Sequence, residues 1–167
     1  DDVWIAANPL AHIQAVGIDD AGRRQYLYHR RWTERRDRDK FARALALAEK
    51  LPQARARVTL ALRTGDPDRG RALAVAFRLL DEAAPRIGSA RYLERHGSRG
   101  LTTLQRRHAN VGASRVSLSF PAKSGRRAFI EIDDADLACV IDELRAGRAR
   151  SPLLWHLRHG RQVGLSP

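Results

Sequence analysis

The residues from Leu79 to Ile132 constrain this chain more than any others. In LLDEAAPRIGSARYLERHG an apolar helix pattern runs into Pro85 and Gly88, which do not continue it. In SRVSLSFPAKSGRRAFIEI two strand-like runs flank a turn, which is the signature of a β-hairpin. Each break sets a cation on a turn: Arg86 after the helix and Lys123 at the hairpin tip. Only Lys40, Lys50 and Lys123 of the 31 basic residues are lysines. A lysine on a turn among arginines suits a site where a proton has to leave, since guanidinium does not supply one. Spacing alone nevertheless favours an ordinary solvated turn residue at Lys123.

A chain of 167 residues buries one real core, or one core plus part of another domain. The net charge of +12 points to an anionic partner, with nucleic acid ahead of a membrane. No apolar run approaches the ~18 residues that cross a bilayer, and no secretory signal opens the chain. The one cysteine excludes an internal disulfide and a cysteine-based metal site. It stands beside Leu137, Val140, Ile141 and Leu144, so it is expected in the core, and the compartment is expected to be cytoplasmic. The sequence contains no methionine and ends in Ser166-Pro167, an N-cap and first helical position with no helix after them. It therefore reads as a piece of something longer.

Short strands and turns fill residues 3–29. Tyr26 and Tyr28 share one face of the last strand, beside Arg23 and Arg24. That face suits phosphate and sugar contacts, or equally a cover by another element. A helix capped by Asp37 or Asp39 is expected next, then a second starting at Pro52. The third, from Ala72 to about Ala84, has one seam of Leu73, Ala76, Phe77 and Leu80 and a second of Val75 and Leu79. A short helix over Ser89–Arg95 stops at Gly97. After the hairpin, Asp133 or Asp134 caps a last helix through Arg145, and an apolar cluster with a polar turn closes the chain. The fold class is α+β. The six histidines lack metal-ligand spacing, and no phosphate-cradling glycine loop is present.

Together, QYLYH, the LLDEAAPRIGSARYLERHGSRGLTTLQRRH run and the AKSG hairpin resemble the poxvirus-like bacterial type IB DNA topoisomerases, over about residues 3–165. The resemblance implies a small N-terminal β-domain followed by a mainly helical catalytic domain, the two clamping duplex DNA. Residues 1–29 would then end the first domain and its linker, and residues 30–167 would begin the second. Arg86 matches the first catalytic arginine and Lys123 the catalytic lysine of the hairpin. Gln25, Tyr26, Tyr28 and Tyr92 match DNA-contacting positions, with Arg91 beside them. Ser89 stands where many relatives have Asn, Pro85 is unusual before the arginine, and Ala122 replaces a common Gly.

The family's second arginine, its histidine and its tyrosine nucleophile are expected beyond Pro167, so the chain alone is expected to be inactive. The resemblance further implies a monomer at the nucleoid that relaxes supercoiled DNA through a 3′-phosphotyrosyl intermediate, without ATP, metal or another cofactor. A tyrosine recombinase is the alternative of like chemistry. A non-catalytic basic DNA-binding module is the alternative of a different class.

Overall fold

Helix α2 (Arg69–Ala83) begins where Asp68 accepts a hydrogen bond from the Arg71 N–H at 2.7 Å. It stops because Pro85 bars Ala84 from right-handed helical geometry. Ala84 instead turns left-handed at φ 45°, and its N–H bonds the Leu80 carbonyl at 2.9 Å. A computed structural model describes residues 3–167 of the chain. The described residues form four α-helices and three small antiparallel sheets, an α+β fold. They divide into two compact units, 1–52 and 53–167.

The first unit holds a sheet of β1 (Trp4–Ile5), β2 (Ile13–Ile18) and β3 (Arg24–Tyr28), in that order. Val16 lies opposite Tyr26, and Ile13 opposite Tyr28. The β2–β3 turn is organised by Asp19, whose carboxylate accepts from the Ala21 and Arg23 N–H groups, the Arg23 side chain and Gln25 Nε2. Those bonds, led by the Arg23 side chain, hold Asp19 well below the usual carboxylate range.

Helix α1 (Arg30–Arg63) corrects the sequence expectation of two helices, because it runs unbroken with Pro52 inside it. No glycine interrupts these residues, which are rich in Ala, Arg and Leu, so propensity favours one long helix. Its first turn is pinned by Trp32 stacked on Tyr28, with ring centroids 4.3 Å apart, and by an Arg30–Glu34 pair. Pro52 has no N–H to give the Ala48 carbonyl, a local loss that helix formers on both sides outweigh.

In the second unit, β4 (Ala109–Val111), β5 (Arg115–Pro121) and β6 (Arg127–Asp133) form an antiparallel sheet in that order. Val116, Leu118 and Phe120 alternate inward, as their spacing predicts, and Ile132 joins them from β6. Asp134 caps helix α4 (Ala135–Arg145) by accepting from the Leu137 N–H at 2.9 Å. The core joins Val75 and Leu79 of α2, Leu101 and Leu104, the inner face of β5, Leu137 and Ile141 of α4, and Leu153 and Leu154.

Two expectations fail here, at Leu73 and at Cys139. In α2, Leu73 is 43 % exposed and drops out of its expected seam, whereas Val75, Ala76 and Leu79 are buried as expected, Ala72 and Ala74 join them, and Phe77 and Leu80 pack against the core. Cys139 is exposed, because α4 buries the stripe Leu137, Ala138, Val140, Ile141 and Leu144, and position 139 falls outside it. The closing stretch keeps its expected apolar cluster, with Leu153 and Leu154 buried, and its polar turn, His159 and Gly160 at φ 50° and 73°, which joins β7 (Trp155–Arg158) to β8 (Arg161–Gly164) in a hairpin. Two successive positive φ values match the twist of the strands they join.

Candidate functional site

Arg86 leaves α2 on an extended loop and is exposed to solvent. The loop is not free, because its carbonyls are claimed. Arg86 O accepts from the Leu101 N–H at 2.8 Å, and Ile87 O accepts from the N–H of Thr102 at 2.9 Å and its hydroxyl at 3.1 Å. Gly88, at φ 77°, lies so close to Gly100 that a Cβ there would stand 2.8 Å from the Gly100 Cα. A Cβ on Gly100 would collide with the Arg86 carbonyl oxygen and the Gly88 backbone. Neither position has room for a side chain.

The same segment grips the hairpin on its other side. The Arg99 N–H bonds the Pro121 carbonyl at 2.8 Å, and the Ser98 hydroxyl bonds the Ala122 carbonyl at 3.1 Å. Lys123 follows directly in a single 3-10 turn, Lys123–Gly125, closed by the Ala122 N–H on the Arg126 carbonyl at 2.7 Å. Residues 98–102 are thus a bracket between two cations that lie 37 positions apart in sequence (123 − 86).

The bracket frames a groove of about 420 Å³ lined by Arg86, Gly88, Ser89, Tyr92, Ser98, Arg99 and Lys123. Tyr92 comes from helix α3 (Ala90–His96), which Ser89 caps by accepting the Tyr92 N–H at 3.3 Å and Gly97 ends at φ 63°. Among the described residues, no carboxylate pairs with Arg86, Arg99 or Lys123. Elsewhere in this unit Arg55, Arg63, Arg71, Arg78, Arg115 and Arg145 each hold one. Charge in this unit is only partly neutralised, and the three groove cations are among those left without a carboxylate partner, which suits an anion.

Of the residues singled out from sequence, Arg86, Lys123 and Tyr92 come together here, whereas exposed Arg91 does not line the groove. Gln25, Tyr26 and Tyr28 belong to the first unit. Gln25 spends its amide on Asp19 at 2.8 Å. Tyr26 and Tyr28 share a face, their rings stacked 6.2 Å apart, and Tyr28 is covered by Trp32 while Tyr26 stays open. Arg36 lies over both the Trp32 ring, at 4.9 Å, and the Tyr28 ring, at 5.8 Å.

Residues 29–141, more than half of the chain and both cationic turns, match the family model of the eukaryotic DNA topoisomerase I catalytic core. The chain belongs to this topoisomerase I family. DNA topoisomerase 1B of Acanthamoeba polyphaga mimivirus is 25 % identical over 126 residues, covering 75 % of this chain. The chain spans 38 % of the length of that relative. Among the described residues, no helix is long and apolar enough to cross a membrane.

Two residues of this topoisomerase I family member escaped the sequence reading. Arg99 reaches the groove half-buried, with Nη1 donating to the Thr103 carbonyl at 2.6 Å. Burial, and then repulsion from Arg107, pull its pKa below that of a free guanidinium. His108 is buried, and its Nδ1 accepts the Gln105 N–H at 2.9 Å. Burial first, then Arg99, Arg107 and Arg127, push it down to about 4, so it is neutral at pH 7. No periodicity marks either residue. Gly100 folds the segment that carries Arg99 back onto the Arg86 loop.

Proposed function

We propose that this chain is part of a type IB DNA topoisomerase and that the Arg86–Lys123 groove receives the DNA strand to be cut. The observation that carries this reading is the groove itself, in which an arginine, a lysine and a tyrosine from three segments converge with no acid to neutralise them. Residues 1–29 are assigned to the end of an N-terminal β-domain and the rest to the start of the catalytic domain. The family match beginning at residue 29 supports that division.

In the proposed reaction a tyrosine attacks a phosphodiester, forming a 3′-phosphotyrosyl bond and releasing a 5′-hydroxyl. The strand swivels and the hydroxyl attacks the phosphotyrosine, so no ATP is consumed. Arg86 presents a planar donor fork to the phosphoryl oxygens, whose negative charge rises in the transition state. Lys123 gives a proton to the departing 5′-oxygen, a role closed to arginine. None of Tyr26, Tyr28 or Tyr92 is assigned as the nucleophile. The tyrosine, a second arginine and a histidine are assigned to the remainder of the parent protein. Tyr26, Tyr28, Gln25, Arg91 and Tyr92 are assigned to contacts along the DNA.

The test is direct. The 167-residue chain is expected to bind duplex DNA with an affinity that falls steeply as salt rises, because phosphate contacts release counterions. It is expected neither to relax a supercoiled plasmid nor to form a covalent adduct. Salt-independent binding would count against the groove, and an adduct on Tyr26, Tyr28 or Tyr92 would show that the nucleophile has been misassigned.

A further inference from the structure

Arg99 has no assigned role in the reaction above, yet it shares the groove with Arg86 and Lys123. Its neighbours make it a fixed cation. The main chain is held by the bond from its own N–H to Pro121 and by the close seating of Gly100 on Gly88. A single bond, Nη1 to the Thr103 carbonyl, orients the guanidinium.

The interior arginines of this unit are built differently. Arg71 and Arg78 are clamped to Glu143 and Asp134, Arg106 bonds Ala146 and Gln162, and each leaves a buried Nε without a partner. None of the Arg99 nitrogens is buried in that way. Its remaining donors therefore face the groove or solvent. Among the described residues, Arg99 pairs with no carboxylate, and Arg107 adds like charge beside it. A half-buried cation facing another cation is relieved by an anion, and a planar fork with free N–H groups suits a phosphate.

We propose that Arg99 is a further phosphate-binding residue of this groove, seating a DNA backbone phosphate adjacent to the one held by Arg86. The inference rests on the reading of the groove as a DNA site. The competing role is a strut that only supports the Thr103 carbonyl.

Binding of the chain to a fluorescent duplex is measured across a KCl series for the wild type, Arg99→Gln, Arg99→Lys and Arg55→Gln, with a melting curve for each. Losing one phosphate contact lowers the slope of log K against log salt by about 0.9. Arg99→Gln is expected to show that drop, Arg99→Lys to keep most of the wild-type slope, and Arg55→Gln, whose arginine pairs with Asp81, to keep all of it. An unchanged slope in Arg99→Gln, whatever its melting temperature, overturns the proposal in favour of the strut.

A second measurement needs no variant. Bound duplex is expected to protect Arg99 of the wild-type chain from a dicarbonyl reagent that modifies guanidinium. Equal modification with and without DNA, or no modification in either case, overturns the proposal. Salt-independent binding by the wild type sinks the groove reading and this inference with it. A salt-dependent wild type with an unaltered Arg99→Gln slope sinks this inference alone.

Discussion

At the scale of single residues, Gly100 is the position on which the site depends most. Any side chain there meets backbone, not a flexible side chain that could swing away. Gly100→Ala is expected to cost about 1–3 kcal/mol, the range for overpacking a tight contact, and to weaken DNA binding as the bracket shifts. Thermal unfolding and the binding titration check both parts. His108 gives a pH signature. Its folded pKa, about 4, lies below the ordinary 6.5, so between those values the unfolded chain binds the proton and the folded chain does not. Stability is therefore full above pH 6.5 and falls as pH drops toward 4, by an amount on the order of 3 kcal/mol. His108→Gln should flatten that part of the stability profile. A profile as steep as wild type would place the proton uptake elsewhere.

At the scale of elements, α3, the β5–β6 hairpin and the α4 cap were legible because each carries local punctuation. Ser89 and Gly97 bound one helix, Asp134 opens another, and alternation at Val116, Leu118 and Phe120 marks the strand. Helix α1 was not legible as one piece, since Pro52 is the strongest local stop signal and only the run of helix formers around it overrides it. Pro52→Ala returns a donor to the Ala48 carbonyl and removes a penalty of about 3 kcal/mol, so helicity and melting temperature are expected to rise. A lower melting temperature would mean that the proline fits some feature an alanine loses. Arg86 and Lys123 could be named from sequence as cations on turns. What joins them could not, because the bracket is made of main-chain bonds from residues 98–102 to Arg86, Ile87 and Pro121. Backbone carbonyls carry no sequence signal. Arg99 went unseen for the same reason.

At the scale of the whole molecule, the +12 charge overstates what composition alone can say about binding. Some of the arginines are held by carboxylates, and among those that are not, Arg86 and Arg99 line a single groove with Lys123. The central claim is that two of these cations divide the work, Arg86 meeting charge on the phosphoryl group and Lys123 delivering a proton. The measurement that tests it most directly is strand cleavage by the full-length parent enzyme on DNA whose 5′-bridging oxygen at the cut is replaced by sulfur. On ordinary DNA, Lys123→Ala is expected to slow cleavage by roughly 100-fold or more, the scale of a lost general acid. A thiolate leaves without needing that proton, so the sulfur substrate should restore most of the rate to Lys123→Ala and little to Arg86→Ala. Equal rescue of both variants, or full-speed cleavage of ordinary DNA by Lys123→Ala, would contradict the account.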